Sequence, residues 1–266
     1  MPPTRLVLIG DPVAHALSPT IQNAALAAAG IDIRYEAVRV FANDLQRVMG
    51  ELVAENAAGN VTVPHKEAMF ALCDERTATA TRVGAVNTFW AHNGKLVGDN
   101  TDVGGFDALV THALGKIPDG IRVAVIGAGG SAAAALGAIA KWPQARVRLY
   151  GRTQRKAESL AGRFGDFVSV ETGARAALGD ANLVANATPV GMLDDRMPLD
   201  LADVPKGALI VDLVYGKNGT PLTRAATAAG FAAVDGKAML VEQAALAFER
   251  WFGFAPDREV MRGAMG

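Results

Sequence analysis

The feature that most constrains the fold of this 266-residue chain is a glycine-rich turn near its middle. The segment reads R-V-A-V-I-G-A-G-G-S-A-A, so an apolar strand runs into Gly127 and Gly129 and then into a helix of small residues that includes Ala132. This order matches the dinucleotide-binding fingerprint, since the glycines permit a tight turn beside a pyrophosphate and the helix start offers free N–H groups. A tight turn without a ligand is the alternative. The pattern predicts nucleotide contacts from Gly127, Ala128, Gly129, Gly130 and Ser131.

The residues after the following strand indicate which dinucleotide is bound. An NAD site places an Asp or Glu there to accept a hydrogen bond from the ribose 2′-hydroxyl. The chain has no acid at this point and instead carries Arg152, Thr153, Arg155 and Lys156. Arginine and a hydroxyl group suit the 2′-phosphate of NADP, whereas the alternative, a solvated basic helix start, is disfavoured by the helix dipole. We therefore expect NADP as the cofactor.

Short apolar runs alternate with amphipathic stretches along the chain, which predicts an α/β fold with largely parallel sheets. The strands predicted in a first series are Leu6–Ile9, Tyr35–Val40, Asn60–Val63, Ala85–Ala91 and Lys95–Val97, the last two flanking a hairpin turn at H-N-G. The strands predicted in a second series are Arg122–Ile126, Arg146–Tyr150, Phe167–Val170, Leu183–Ala187 and Leu209–Leu213. A long helix is predicted at Lys237–Phe252, and a domain boundary near Thr101–Gly104.

The composition excludes several classes of protein. A net charge of −1 provides no basic field for nucleic acid or for an anionic membrane surface, and no stretch approaches the ~20 apolar residues that a membrane-spanning helix needs. Because Cys73 is the only cysteine, we expect no intramolecular disulfide, a buried and unreactive thiol, and a reducing compartment. The N-terminal apolar run is too short for a signal peptide. A cytoplasmic location is therefore expected.

Metal-dependent hydrolysis finds little support among the histidines. They show no ligand spacing of the kind that binds zinc, so we expect no metal site. We interpret all four histidines as polar surface or turn residues: His15, His65, His92 and His112.

Several polar motifs close strands or open helices, where open parallel sheets gather ligand groups. In chain order they are H-A-L-S-P-T-I-Q-N, G-N-V-T-V-P-H-K, G-A-V-N-T, G-D-N-T-D-V-G-G, N-A-T-P-V-G-M, D-L-V-Y and M-L-V-E-Q-A-A-L-A-F-E-R-W. In this order and spacing the series resembles the shikimate dehydrogenase family over nearly the whole chain. The resemblance implies an N-terminal α/β substrate domain with a mainly parallel sheet, formed by residues 1–102 plus 238–266, and a Rossmann-like NADP-binding domain at 103–237.

The resemblance also implies an activity, the NADPH-dependent reduction of 3-dehydroshikimate to shikimate in aromatic amino acid biosynthesis. Its partner is then a small-molecule substrate, without nucleic acid or membrane, and the protein is a monomer or homodimer. Carried over position by position, Lys66 and Asp102 become the catalytic acid–base pair. The implied substrate contacts are Ser18, Thr62, Asn87, Tyr215 and Gln243. The residues implied near the nicotinamide are Leu213 and Gly236.

Each of these residues also has a structural interpretation. Ser18 before Pro19 is typical of a helix cap with a first-turn proline, and Asp102 is a candidate cap for the following helix. Lys66 near a helix start opposes the helix dipole, which makes a purely structural role less attractive. The alternatives for the others are a strand-end turn for Asn87, a half-buried aromatic for Tyr215 and an exposed helix face for Gln243.

The chain departs from the family pattern at three positions. Ala16 stands where the family usually has a serine that meets the substrate carboxylate, and a lost hydrogen bond to a charged group costs about 1.5–3 kcal/mol. Gly151 replaces a common asparagine, and Lys237 lies in a segment that is commonly glycine-rich. These changes keep two alternatives open: a dehydrogenase of a related cyclic hydroxy acid such as quinate or aminoshikimate, and a cofactor-binding regulatory paralogue with little turnover.

Overall fold

Two separate six-stranded sheets organise residues 2–265, the part of the chain that this computed structural model describes. Contacts divide the chain into two compact units: unit 1 comprises Met1–Gly105 and Leu240–Gly266, and unit 2 comprises Phe106–Met239. The terminal residues Met1 and Gly266, which the predicted substrate domain includes, lie outside the described part. The boundaries between the units lie at 105/106 and 239/240. The sequence predicted domain boundaries at 102/103 and 237/238.

Unit 1 contains one mixed sheet with helices around it. Its strands are β1 (Arg5–Gly10), β2 (Tyr35–Arg39), β3 (Ala57–Val61), β4 (Glu75–Arg76), β5 (Thr88–His92) and β6 (Lys95–Asp99). Its helices are α1 (Ser18–Ala28), α2 (Leu45–Ala54), α3 (Lys66–Leu72), α4 (Ala78–Val83) and, near the C-terminus, α11 (Arg258–Gly263). The helices that contain the unit boundaries are α5 (Asp102–Leu114) and α10 (Lys237–Phe252).

The strand order of this sheet is β2-β1-β3-β5-β6-β4, with β1 parallel to both of its neighbours and β5 antiparallel to both β3 and β6. The register pairs Asn60 with Thr88, and Thr88 with Asp99. Because β5 runs in the opposite direction, its first residues lie at the same edge as the last residues of β3 and β6. Segments that are distant in sequence therefore meet at the carboxyl edge of β1 and β3.

The core of unit 1 joins the two ends of the chain. One cluster of fully buried side chains combines Ile21 and Leu26 of α1 with Val241, Ala245 and Phe248 of α10. Burial of each large apolar side chain stabilises the fold by about 1.5–3 kcal/mol. The last helices are therefore integral to unit 1, although more than 200 residues of sequence separate Ile21 from Val241.

Unit 2 contains a wholly parallel sheet in the order β12-β11-β10-β7-β8-β9. Its strands are β7 (Arg122–Ile126), β8 (Arg146–Tyr150), β9 (Val168–Val170), β10 (Leu183–Asn186), β11 (Leu209–Asp212) and β12 (Ala233–Val234). Its helices are α6 (Gly130–Ile139), α7 (Gln154–Ala161), α8 (Ala174–Leu178) and α9 (Pro221–Ala228). This is the doubly wound order, in which the direction of chain winding reverses between β7 and β10 and ligands bind beyond the carboxyl ends of those strands.

The predicted α/β class with mainly parallel sheets is confirmed, and most predicted strands are present. β7 and β8 have the predicted bounds, as does helix α10, and β5 pairs with β6 as the predicted hairpin. The prediction for β3 began three residues late, because alanine and glycine have low strand propensity. Gly59 is needed there, since a Cβ atom would lie 2.0 Å from the carbonyl oxygen of Val7 on β1.

Two further features bear on function. Within residues 2–265, no helix combines the length and the apolar character that crossing a membrane requires. The same residues contain no group of three or more His, Cys, Asp or Glu side chains arranged to hold a metal ion.

Candidate active site

A buried ion pair stands at the carboxyl edge of the unit 1 sheet. Lys66 is the first residue of α3, which begins shortly after β3, and Asp102 is the first residue of α5, which follows β6. Lys66 Nζ lies 2.6 Å from Asp102 Oδ2, and the two side chains are 14% and 7% exposed. A charge-assisted hydrogen bond with so little exposure to water is strong and geometrically defined. The Lys66 carbonyl also accepts a hydrogen bond from the N–H of Val86, which anchors α3 beside β5.

Asn87 connects this pair to the C-terminal helix of unit 1. Its Nδ2 donates to Asp102 Oδ1 at 2.8 Å and lies 3.2 Å from Oε1 of Gln243 on α10. Its Oδ1 accepts from the N–H of Thr101 at 2.7 Å, so both ends of the amide are engaged. Gln243 in turn donates from Nε2 to the carbonyl of Leu240 at 2.9 Å. The catalytic pair that the sequence predicted is thus part of a connected and largely buried polar network.

A second layer of the network lies beneath Asn87. The Tyr35 hydroxyl donates to Asn60 Oδ1 at 2.8 Å, and Asn60 Nδ2 donates to the carbonyl of Asn87 and to Oγ1 of Thr88. Burial raises the pKa of Tyr35 well above its ordinary value. The phenol therefore stays neutral and acts as a permanent hydrogen-bond donor. This layer fixes the backbone at the start of β5, from which the Asn87 side chain projects.

Ser18 and Thr62 follow the neighbouring parallel strands β1 and β3 at the same edge of the sheet. Ser18 is only 7% exposed, and Thr62 is held in its turn by a bond from its N–H to the carbonyl of Ile9 and by one from the N–H of His65 to its own carbonyl. Within the described part of the chain, neither hydroxyl has a hydrogen-bond partner. Both groups are therefore available to a polar ligand.

The glycine turn of unit 2 has the geometry that a bound pyrophosphate requires. Gly127 adopts φ +121°, and a Cβ atom there would lie 2.8 Å from the carbonyl oxygen of Ala187 after β10. Gly129 precedes α6 and is exposed, and nothing lies within 4 Å of the position its Cβ would take. Ala132 is completely buried where α6 packs on the sheet. The three small residues therefore serve the tight turn, the open approach and the close packing that the fingerprint predicts.

Four exposed polar residues follow β8, in the segment that begins α7. They are Arg152, Thr153, Arg155 and Lys156. Among residues 2–265, none of the three basic side chains has an ion-pair partner. A cluster of unpaired cations at the edge of a dinucleotide fold is the chemistry that a 2′-phosphate needs, so the donor set fits NADP.

The Gly151 departure has a structural reason. A Cβ atom at Gly151 would lie 2.8 Å from the Cβ of Ala128. The residue after β8 and the glycine turn after β7 are therefore packed against each other. A larger residue at position 151 would require the turn to move.

The segments after β11 and before α10 also approach each other in unit 2. The N–H of Gly236 donates to the carbonyl of Val214 at 3.0 Å, and a Cβ at Gly236 would lie 2.5 Å from the carbonyl oxygen of Leu213. Asp212 holds this segment by accepting from the hydroxyl of Thr220 at 2.6 Å and from the N–H of Val214 at 3.1 Å. Burial raises the pKa of Asp212, against the opposing effect of these hydrogen bonds.

Comparison with known proteins identifies the family of this chain. The profile of the shikimate dehydrogenase substrate binding domain matches residues 8–89, and that of the shikimate 5′-dehydrogenase C-terminal domain matches residues 238–265. A shikimate dehydrogenase (NADP(+)) of Mesorhizobium japonicum is 42% identical over 253 residues, which cover 93% of this chain and 90% of that protein. The chain belongs to the shikimate dehydrogenase family.

Similar solved structures share this fold. A shikimate 5-dehydrogenase from Thermus thermophilus in complex with NADP(H) and shikimate is 35% identical, with a TM-score of 0.85 and 98% of both chains covered. The ligand-free 5-ketofructose reductase of a Gluconobacter species is 27% identical, with a TM-score of 0.82, 99% of this chain and 98% of that chain covered. The resemblance predicted from the motifs is confirmed, and the family is one of oxidoreductases.

Two structural interpretations of single residues are wrong. Ser18 does not cap α1, because it is the first helical residue and the preceding Leu17 holds the cap position. Gln243 is not on an exposed helix face, since it is 7% exposed. His65, which was interpreted as a polar surface or turn residue, closes a turn with Thr62 and is buried: it is 2% exposed, and its Nε2 lies 2.6 Å from the carbonyl oxygen of Val40.

The structure gives the positions of the other predicted site residues but does not show their roles. Asp102 opens α5, but both of its oxygens accept from side chains, those of Lys66 and Asn87. Tyr215 is half-buried in unit 2, after β11, and Leu213 and Gly236 adjoin each other there. The roles of these residues as ligands of substrate or cofactor stay predictions.

The sequence reasoning did not assign several residues that build the site. Asn60 and Thr101 stood within quoted motifs, but their hydrogen bonds to the backbone and side chain of Asn87 are visible only in the fold. Asp99 and Arg250 also stood within quoted motifs. Nothing in the sequence connected them, because 151 positions separate the two partners of their ion pair.

Proposed function

We propose that this chain is an NADP-dependent shikimate dehydrogenase that reversibly reduces 3-dehydroshikimate to shikimate, with unit 1 binding the substrate and unit 2 the cofactor. Family membership and the names of its relatives support the reaction. The single observation that carries the proposal is the 2.6 Å contact between Lys66 Nζ and Asp102 Oδ2, buried beside Asn87 and Gln243.

The acid–base chemistry follows from this geometry. Reduction of a ketone places negative charge on its oxygen, and a neighbouring ammonium stabilises that charge and donates the proton. We assign this role to Lys66, with Asp102 holding the ammonium in place. In the direction of oxidation, the Lys66 amine accepts the hydroxyl proton. Asn87 fixes the carboxylate of Asp102 and so restricts the pair to one orientation.

The cofactor supplies the hydride when it is bound, and unit 2 offers the residues to hold it. We assign the pyrophosphate to the turn from Gly127 to Ser131 and the 2′-phosphate to Arg152, Thr153, Arg155 and Lys156. The open space at Gly129 and the unpaired cations after β8 support this assignment. Leu213 and Gly236 are assigned to the nicotinamide end.

The proposed substrate contacts are hydroxyls without a hydrogen-bond partner and amides that belong to the polar network around Asp102. Ser18 and Thr62 have hydroxyls without partners in the described residues, and Asn87 and Gln243 present amides beside Asp102. Tyr215 is proposed as a further contact from unit 2. Together these groups suit a small molecule with a carboxylate and several hydroxyls.

A second candidate substrate is a related cyclic hydroxy acid such as quinate or aminoshikimate. The observation that favours it is Ala16, a half-buried residue that packs against the apolar cluster of unit 1 and supplies no hydroxyl. A regulatory paralogue with little turnover is the remaining alternative, but a buried and fully connected Lys66–Asp102 pair supports an enzyme.

Absorbance of reduced nicotinamide measures the proposed reaction directly. The purified protein is incubated with shikimate, quinate or aminoshikimate, each with NADP and with NAD, and the matched control omits the acid. We expect the highest kcat/KM for shikimate with NADP. Turnover of quinate or aminoshikimate without turnover of shikimate would support the second candidate. Tight NADP binding without turnover of any acid would contradict the enzyme and support the regulatory paralogue.

A further inference from the structure

A second buried carboxylate lies next to the site without belonging to the catalytic pair. Asp99 is the last residue of β6, and its side chain is 3% exposed. Its Oδ2 accepts from Arg250 Nε of α10 at 2.8 Å, and the Arg250 side chain is 55% exposed. Its Oδ1 accepts from the hydroxyl of Thr77 and from the N–H of Asn100. A buried charge held by three donors from three segments has little freedom to move.

Asp99 accepts hydrogen bonds from two segments of the proposed site, one that contains Asn87 and one that leads to Asp102. Its backbone carbonyl accepts from the N–H of Asn87 at 3.1 Å, and its carboxylate accepts from the N–H of Asn100 at 2.7 Å. Asn100 is two residues before Asp102, and Asn87 donates to Asp102 Oδ1. The turn that presents Asp102 to Lys66 is therefore fixed at its start by Asp99.

Helix α10 meets the sheet through several polar side chains, including Trp251, whose Nε1 donates to the carbonyl of Phe89 at 3.2 Å. Gln243 lies beside Asn87, and Arg250 pairs with Asp99. The two side chains are seven positions apart in the sequence, which places them on one face of the helix about two turns, or roughly 10.5 Å, apart. The ion pair is therefore one of the contacts that hold α10 on the sheet, beside its buried apolar side chains, and it lies on the same helix face as Gln243.

We infer that Asp99 and Arg250 are positioning residues: their ion pair holds the Asp102 turn and the Gln243 face of α10 in register around Lys66. This inference rests on the proposed function, because it assigns the pair a role in that reaction. Neither residue is assigned a contact with substrate. Their effect is transmitted through Asn100, Asn87 and α10.

Arg250→Gln tests the inference, because it removes the cation from a half-exposed position where folding should tolerate the change. Arg258→Gln is the matched control, since Arg258 pairs with Glu242 and Glu249 of the same helix α10. We expect Arg250→Gln to lower kcat about tenfold and to raise the KM for the acid, because small misplacements of catalytic groups slow the reaction. The dissociation constant of NADP should not change.

Rescue and the control complete the kinetic test. Arg250→Lys should recover most of kcat, because an ammonium can still pair with Asp99, whereas Arg258→Gln should keep kcat and KM. All rates are measured well below the melting temperature of each variant. Wild-type kcat and KM in Arg250→Gln, or equal losses in Arg250→Gln and Arg258→Gln, would overturn the inference. Thr77→Val is the second variant if Arg250→Gln does not fold; a smaller fall in kcat supports the inference, and no fall contradicts it.

A readout independent of turnover separates this inference from the proposed function. The side-chain amide NMR signals of Asn87 and Gln243 are recorded in the ligand-free protein. We expect both to shift in Arg250→Gln and to keep their positions in Arg258→Gln. Unchanged signals in Arg250→Gln would contradict the inference even if the wild-type protein reduces 3-dehydroshikimate. Shifted signals in a protein that turns over no acid would leave the positioning intact and overturn the proposed function alone.

Discussion

The polar side chains at the proposed catalytic site of unit 1 and at the proposed nucleotide site of unit 2 differ in burial and in how their charges are paired. In unit 1, the largely buried side chains of Lys66 and Asp102 pair with each other, and Asp102 also accepts a hydrogen bond from Asn87. In unit 2, Arg152 and Arg155 are exposed and have no ion-pair partners within residues 2–265. The polar groups of the first proposed site are bonded to one another within the chain, whereas the cations of the second proposed site leave their charge for a ligand to balance.

This difference has an energetic consequence. A buried ion pair is screened by salt much less than an exposed one, and it leaves an uncompensated charge when one partner is removed. Exposed cations contribute little to folding, so their removal should affect the ligand and not the stability of unit 2. Substitutions in the Lys66–Asp102 pair should therefore change both catalysis and stability. Substitutions of the exposed cations after β8 should change only the affinity for the cofactor.

The largest effect is expected for Lys66→Met, which removes the proposed acid and keeps an apolar side chain of similar length. We expect kcat to fall about 10²- to 10⁴-fold, the usual contribution of general acid–base catalysis, while the dissociation constant of NADP stays unchanged. Steady-state kinetics and a fluorescence titration measure the two quantities. Lys95→Met, at an exposed lysine of unit 1 paired with Glu75, is the matched control and should keep full activity.

Near-normal turnover in Lys66→Met would remove the catalytic role from this lysine. The variant also leaves Asp102 buried without its cation, so a thermal melt is needed beside the kinetics. A lower melting temperature is expected in Lys66→Met and not in Lys95→Met. Equal melting temperatures of Lys66→Met and Lys95→Met would show that the buried ion pair contributes no more to stability than an exposed one.

The double substitution Arg152→Ala/Arg155→Ala sharpens the other half of the comparison. Removing hydrogen bonds to a charged phosphate should raise the KM for NADP about 10- to 150-fold, with little change for NAD and none in melting temperature. Arg175→Ala is the control, since Arg175 is an exposed arginine of unit 2 that pairs with Asp203. An unchanged preference for NADP over NAD would show that the basic segment after β8 does not read the 2′-phosphate.

A smaller effect is expected from Ala16→Ser, which restores the hydroxyl that the family usually has. One additional hydrogen bond to the substrate carboxylate should lower the KM for shikimate about tenfold. Ala14→Ser, at an exposed position of the same loop, should have no effect. An unchanged or raised KM in Ala16→Ser would place position 16 outside the carboxylate site.

The smallest effect on activity is expected at Cys73, which tests whether the burial of unit 1 persists in solution. Burial raises the pKa of this thiol to about 12, so the thiolate fraction at pH 8 is about 10⁻⁴ in the folded protein. The folded protein should therefore react with iodoacetamide far more slowly than the same protein in urea, and keep its activity. Mass spectrometry follows the modification. Equal rates in buffer and in urea would contradict the buried environment.

The same contrast explains what the sequence could predict. The proposed nucleotide site consists of one continuous segment and the residues after the next strand, so its strand, turn and helix were recognisable locally. β7 and β8 were predicted at their observed bounds because their apolar runs are short and clearly ended by turn residues. The strands β4 and β12, with two residues each, carry no periodic pattern and were missed.

The catalytic site could be predicted only through the family motifs. Asn87 and Gln243 are 156 residues apart, as their hydrogen bond shows, and no local pattern connects them. Asp99 and Arg250 look like an ordinary strand end and an ordinary helical arginine until the fold brings them together. The burial of His65 was not visible in the sequence for the same reason, because its partner Val40 lies 25 positions earlier.

A double-mutant cycle on Lys66→Met and Asp102→Asn tests the central claim that these two residues act as one unit. The four kcat values are measured with shikimate and NADP for the wild type, each single variant and the double variant. Residues that act together show strongly non-additive effects, so the double variant should be about as slow as Lys66→Met alone. Losses that multiply, or an active Lys66→Met variant, would contradict the assignment of this pair.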